Sequence, residues 1–69
     1  MSAPIRKVEV GPEGIVAVLE DGSRRRMAFG VIEPADIASV HVADGRESIV
    51  IRLRSGDSLE WDVTHMMEV

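Results

Sequence analysis

Two segments of equal length, residues 15–29 (IVAVLEDGSRRRMAF) and 49–63 (IVIRLRSGDSLEWDV), align without a gap at an offset of 34 residues. Both begin Ile-Val, carry Leu at the fifth position and place Gly at the eighth. Apolar and polar residues alternate on either side of each glycine, which is the signature of two strands joined by a tight reversal. The pattern also selects the loop. A three-residue loop, Glu20-Asp21-Gly22, sets Leu19 against Ser23, Ala17 against Arg25 and Ile15 against Met27. One face then collects Ile15, Ala17, Leu19, Met27 and Phe29. A two-residue Asp-Gly loop would move Met27 and Phe29 to the opposite face, the register slip that scatters a core. Three-residue loops end in a left-handed residue, a place that suits Gly22. The same loop at Arg54-Ser55-Gly56 sets Ile49 against Trp61 and Ile51 against Leu59. Its core face is Ile49, Ile51, Leu53, Leu59, Trp61 and Val63.

The rest of the chain fits around these hairpins. Residues 5–10 alternate and predict a first strand, with Val8 and Val10 inward and Lys7 and Glu9 outward. Gly11-Pro12-Glu13-Gly14 reads as a turn. Glu33-Pro34-Ala35-Asp36 predicts a short helical turn, with Pro34 where its missing N–H costs little. Residues 38–42 predict another strand. A four-residue loop over 44–47 aligns Val40 with Ile51 and Val42 with Ile49. Thr64-His65-Met66-Met67 fits a short helix or a strand end. The expected architecture is all-β and mainly antiparallel, in one domain over residues 1–69. It is a meander of five to six strands forming a curved sheet or an SH3-like barrel, with one short helical turn near Pro34. The strand–Asp-Gly–strand pattern is similar to that of SH3-like and Sm-like small barrels, a likeness of fold that does not fix a function.

Composition narrows the functions. A chain of 69 residues buries only about 60% of its unfolded surface, so a lone monomer is marginal. Cysteine is absent, which removes disulfides and thiolate-bound zinc as remedies and leaves oligomerisation. The net charge of −4 argues against a dedicated nucleic-acid binder. No apolar run approaches the ~18 residues needed to span a bilayer, and residues 1–10 lack the apolar stretch of a signal peptide. The expectation is a cytoplasmic protein with no membrane partner.

Candidate chemistry is sparse. His41 and His65 stand apart, and Glu60 and Asp62 share the parity of a solvent face, so no metal site is expected. No serine sits in a nucleophile elbow, no glycine-rich phosphate loop occurs, and no carboxylate pair is set up for acid–base work. The expectation is a protein without enzymatic activity, catalytic residues or cofactor.

Arg24-Arg25-Arg26 alternate sides on a strand, so they do not form one patch. Arg24 and Arg26 point outward; Arg25 lies inward near the hairpin tip and snorkels over Ala17, with Glu20, Asp21 and Glu33 as available counter-charges. Apolar Val16, Val18, Ala28 and Gly30 occupy the outer side of the same hairpin, whereas the second hairpin shows Val50, Arg52, Ser58, Glu60 and Asp62 there. A strand pair apolar on both sides is covered on both sides. Ile32, Ile37, Met66 and Met67 are candidates for intramolecular cover. Otherwise a second copy packs around Val16, Val18 and Ala28, with Arg24 and Arg26 on the polar rim. The protein is therefore expected to be an interaction or regulatory module, homo-oligomeric or a subunit of a larger assembly. The alternative is a nucleic-acid-binding small barrel that uses Arg24, Arg26, Arg52 and Arg54.

Overall fold

Both glycine-ended loops take the three-residue form. In the computed structural model, which describes residues 3–28, 30 and 32–69, Leu19 N–H donates to Ser23 O at 2.8 Å and Gly22 N–H to Leu19 O at 3.0 Å. The second hairpin repeats both bonds, Leu53 N–H to Asp57 O at 2.8 Å and Gly56 N–H to Leu53 O at 3.0 Å. Gly22 and Gly56 take φ of +88° and +100°. The registers follow: Ile15 faces Met27, Ala17 faces Arg25, Ile49 faces Trp61 and Ile51 faces Leu59.

Among the described residues seven strands form: β1 (Ile5–Val10), β2 (Gly14–Leu19), β3 (Arg24–Ala28), β4 (Ile37–Val42), β5 (Ser48–Leu53), β6 (Ser58–Asp62) and β7 (Met67–Glu68). All pairings are antiparallel. They make two sheets, ordered β1-β2-β3-β7 and β4-β5-β6, so the fold is all-β but the sheets do not close into a barrel. Pro34–Asp36 forms the expected short turn, of 3-10 type, with its proline at the start. A second 3-10 turn, Val63–His65, leads into β7, so the ambiguous tail becomes a turn followed by a strand.

The two three-stranded meanders match closely, although the β4–β5 connection is two residues longer than the β1–β2 connection. β1 is out of step with β2 between Ile5 and Lys7, leaving Arg6 unpaired, and β4 is out of step with β5 between Ile37 and Ser39, leaving Ala38 unpaired. Such a bulge re-aims the chain by one residue. It turns Ile5 and Val8 to the same side, and Ile37 and Val40 likewise. Glu20 N–H donates to Pro4 O at 2.9 Å, and its counterpart Arg54 N–H donates to Asp36 O at 2.8 Å. The correspondence runs past the hairpins: Ile32 and Met66, also 34 apart, are both buried in the core.

That core joins the inner faces of both sheets. Ile5, Ile15, Ile49 and Ile51 are fully buried, with Ala17, Leu19, Met27, Ile32, Val63 and Met66 around them. Leu53 and Trp61 pack against this cluster while half-buried. Four expectations are corrected. Val10 is 56% exposed, because it ends β1 beside the turn, beyond the second sheet. Leu59 is 38% exposed, because β6 is an edge strand and Leu59 lies near its hairpin tip. Gly14 is not a turn residue but the buried first residue of β2. β4 also begins one residue earlier than expected, at Ile37. The placement of Phe29 on the core face lies outside the described residues.

The loops allow a clean test of the left-handed positions. A Cβ built on Gly22 or Gly56 would meet nothing within 4 Å, so steric contact plays no part. Each Gly→Ala change is expected to cost about 1–2 kcal/mol through the left-handed backbone alone. Urea melts of the two single variants check this, and parental stability in either rejects that turn.

Candidate interaction surface

β2 is apolar on both sides, and the ladder decides what faces each side. Ile15, Ala17 and Leu19 point into the core, while Val16 and Val18 are half-buried on the outer face. There Val16 stands between Glu9 of β1 and Arg26 of β3, and Val18 between Lys7 and Arg24. Lys7 pairs with Glu9 at 3.2 Å, Arg26 with Glu13 at 3.2 Å, and Arg24 approaches Glu9 at 4.0 Å. These pairs are solvent-exposed and stabilise the monomer by ~0–1 kcal/mol each. Ala28 closes the β3 end of the face, exposed and opposite Gly14.

β7 adds the part that sequence patterning missed. Met67 pairs with Arg26, and Val69 N–H donates to Arg24 O at 3.1 Å, so both side chains join the outer face. A two-residue strand has too little length to show a period. Val10, Val16 and Val69 line a groove here with Arg24 and Arg26. Among the described residues, the large exposed hydrophobics are Val10, Leu59, Met67 (68%) and Val69 (74%); Met67 and Val69 lie on this face, whereas Val10, opposite Ile15 in the ladder, and Leu59 have the inward parity at the ends of their strands. Of the four candidates for intramolecular cover, Ile32 and Met66 are buried in the core and Ile37 packs against it. Met67 reaches the outer face but stays exposed.

The alternation expected of the three arginines holds. Arg25 turns inward, where it donates to Met66 O at 3.2 Å and pairs with Glu68 at 3.5 Å. The ion-pair partners are Glu9, Glu13 and Glu68, because β1 and β7 flank the hairpin. Of the expected counter-charges, Asp21 still feels Arg25: after the hydrogen bonds from Ser23, the Arg25 charge helps to lower its carboxyl. The residues of the nucleic-acid reading divide between the sheets. Arg52 is exposed on β5, and Arg54 donates from Nε to Ala35 O at 2.8 Å.

Local carboxylates hold turns together. Asp21 accepts from Ser23 Oγ at 2.6 Å and Ser23 N–H at 2.9 Å in the first hairpin loop. The hydroxyl and then the amide hold its carboxyl below the usual range. Asp62 caps the second 3-10 turn, accepting from Thr64 N–H at 2.9 Å and Thr64 Oγ1 at 2.7 Å, which lowers its carboxyl in the same way. Both contributions are fully present above the ordinary carboxylate range and are lost as pH falls through the lowered values. Glu60 accepts from Ser48 Oγ at 2.6 Å. His41 and His65 are exposed, and among the described residues no three His, Asp or Glu side chains gather as a metal-ligand set. No helix among them is long and apolar enough to cross a membrane. Trp61 Nε1 is sealed from solvent and has no acceptor among the described residues. Comparison with protein-family models, curated proteins and solved structures returned no match.

Proposed function

We propose that this protein is a small non-enzymatic interaction module of the cytoplasm that works as a homo-oligomer or within a larger assembly. Its contact surface is the outer face of the first sheet, centred on Val16, Val18 and Ala28 and rimmed by Arg24 and Arg26. The observation that carries the reading is the exposure of Met67 and Val69 beside the half-buried Val16 and Val18. Contiguous apolar surface with a polar border is characteristic of protein contact sites. The rim carries both signs, since Lys7, Arg24 and Arg26 alternate with Glu9 and Glu13. A two-fold related copy can exchange these partners, so one surface serves both sides of the contact. The nucleic-acid alternative has less support: Arg26 has a glutamate partner, Arg24 lies near another, and Arg52 and Arg54 belong to the other sheet.

Sedimentation equilibrium at tens of micromolar is expected to show a dimer or higher oligomer for the parent. Val18→Asp sets a charge in the contact and is expected to give monomer, with dissociation rising at least tenfold (~1.4 kcal/mol). A monomeric parent rejects the proposal. Salt-sensitive retention of mixed oligonucleotides on nitrocellulose would instead favour the arginine-based alternative.

A further inference from the structure

The two meanders differ in one respect that bears on binding. In the first sheet, β7 covers the edge of β3 by pairing Met67 with Arg26 and Glu68 with Arg25. The residues 34 positions earlier are Glu33 and Pro34. Pro34 here opens a 3-10 turn that carries the chain into β4 instead of along β6. β6 consequently ends its sheet, with no strand pairing with its outer edge among the described residues. The ladder also shows which backbone groups face that edge. Leu53 N–H bonds Asp57 O, and antiparallel pairs alternate, so the N–H and C=O groups of Ser58, Glu60 and Asp62 point away from β5. The equivalent groups of the first hairpin are used in this way: Arg24 O accepts from Val69 N–H.

We infer that the β6 edge, residues 58–62, is a docking site for an extended basic peptide segment of a partner protein. The segment takes the place that β7 takes beside β3. Side chains on the two faces of β6 specify its pattern. On the inner side Leu59 is 38% exposed and Trp61 is half-buried, which offers an apolar contact to alternate residues of the segment. On the outer side Glu60 and Asp62 present carboxylates, which call for Lys or Arg at the intervening positions. The first sheet has the opposite arrangement, where the basic strand β3 receives Glu68 from β7. A second copy fits the full length of this edge poorly. Antiparallel self-pairing about Glu60 places two glutamates face to face, and pairing about Trp61 places Glu60 against Asp62. The site is separate from the first-sheet face and stands or falls independently of it.

Trp61 is the chain's single tryptophan and reports on this edge directly. The probe is a capped seven-residue peptide of alternating lysine and valine, and its counterpart has glutamate in place of every lysine. Saturable change in Trp61 fluorescence is expected with the lysine peptide and none with the glutamate peptide. Amide shifts in the labelled protein are expected to centre on Ser58, Glu60 and Asp62. Glu60→Pro removes an outward N–H and no backbone bond within the sheet, losing only the side-chain contact to Ser48 Oγ, so it is expected to keep the fold and weaken binding at least tenfold. Glu60→Lys is expected to lose the lysine peptide, and it provides the charge test should the proline variant fail to fold. Overturning results are no saturation at millimolar peptide, equal binding by a folded Glu60→Pro protein, or shifts centred on the first sheet. Binding of both peptides alike, or lysine-peptide binding unchanged by Glu60→Lys, overturns the inference too.

Discussion

Truncation of Ile51 to alanine is expected to cost about 2–5 kcal/mol, the range for emptying a buried aliphatic site. Ile51 is fully buried on the central strand of the second sheet, facing Val40 on one side and Leu59 on the other. A domain of 69 residues has about 3–10 kcal/mol of stability at 0.05–0.15 kcal/mol per residue. The loss therefore takes away a large share of the whole, and the variant is expected to be partly unfolded near physiological temperature. Leu59, its neighbour on the same face, provides the contrast. It is 38% exposed on the edge strand, so Leu59→Ala is expected to cost about 1 kcal/mol or less. Urea melts of the two variants separate these cases. A loss under 1 kcal/mol for Ile51→Ala rejects the register.

The hairpin registers were legible because two independent signals agree at each of them. Gly22 and Gly56 offer the left-handed residue, and only the loop that uses them gathers the apolar side chains on one face. The loop over residues 44–47 was legible from the apolar pattern alone, since Val40 and Val42 meet Ile51 and Ile49, while its left-handed residue is Arg46 rather than Gly45. What the sequence hid has physical causes too. The bulges at Arg6 and Ala38 break the two-residue period, and no local signal marks a bulge in a strand of ordinary residues. The exposure of Leu59 and Val10 depends on where a sheet ends, which is set by long-range pairing rather than by the strand's own pattern. The split of Met66 inward and Met67 outward follows from the two-residue β7 and its partner 41 residues away, Arg26. On the first-sheet face, Val16, Val18, Ala28, Arg24 and Arg26 were readable from parity. Val69 was not, because it joins the face only through β7. The β6 edge is not marked in its own strand's pattern; it follows from the 34-residue offset that puts Pro34 at the place of Glu68.

Gly14→Ala is expected to cost about 3 kcal/mol, at the upper end for adding one methyl to a packed site. The first turn closes through Gly11 N–H donating to Gly14 O at 2.8 Å, yet Gly14 itself is buried at the start of β2, opposite Ala28. A Cβ there would run into the carbonyl oxygen of Met27, with the Met27 carbonyl carbon at 3.0 Å and Ala28 Cα at 3.2 Å. All three are backbone atoms, so no rotamer change relieves the overlap, and β3 must move away from β2. That movement would loosen Met27, which is buried in the core, and displace Arg26, which pairs with Glu13 across the outer face. Position 48 is the counterpart of position 14, and it carries serine. Ser48 is buried opposite Asp62 and donates to Glu60, so the second meander accommodates a side chain at the equivalent place. Ser48→Gly is accordingly expected to cost only about 1 kcal/mol, the sum of a lost exposed-acceptor bond and added chain entropy. Thermal or urea unfolding of the two reciprocal variants measures the asymmetry directly. Equal, small losses would show that β2 and β3 are no closer together than β5 and β6.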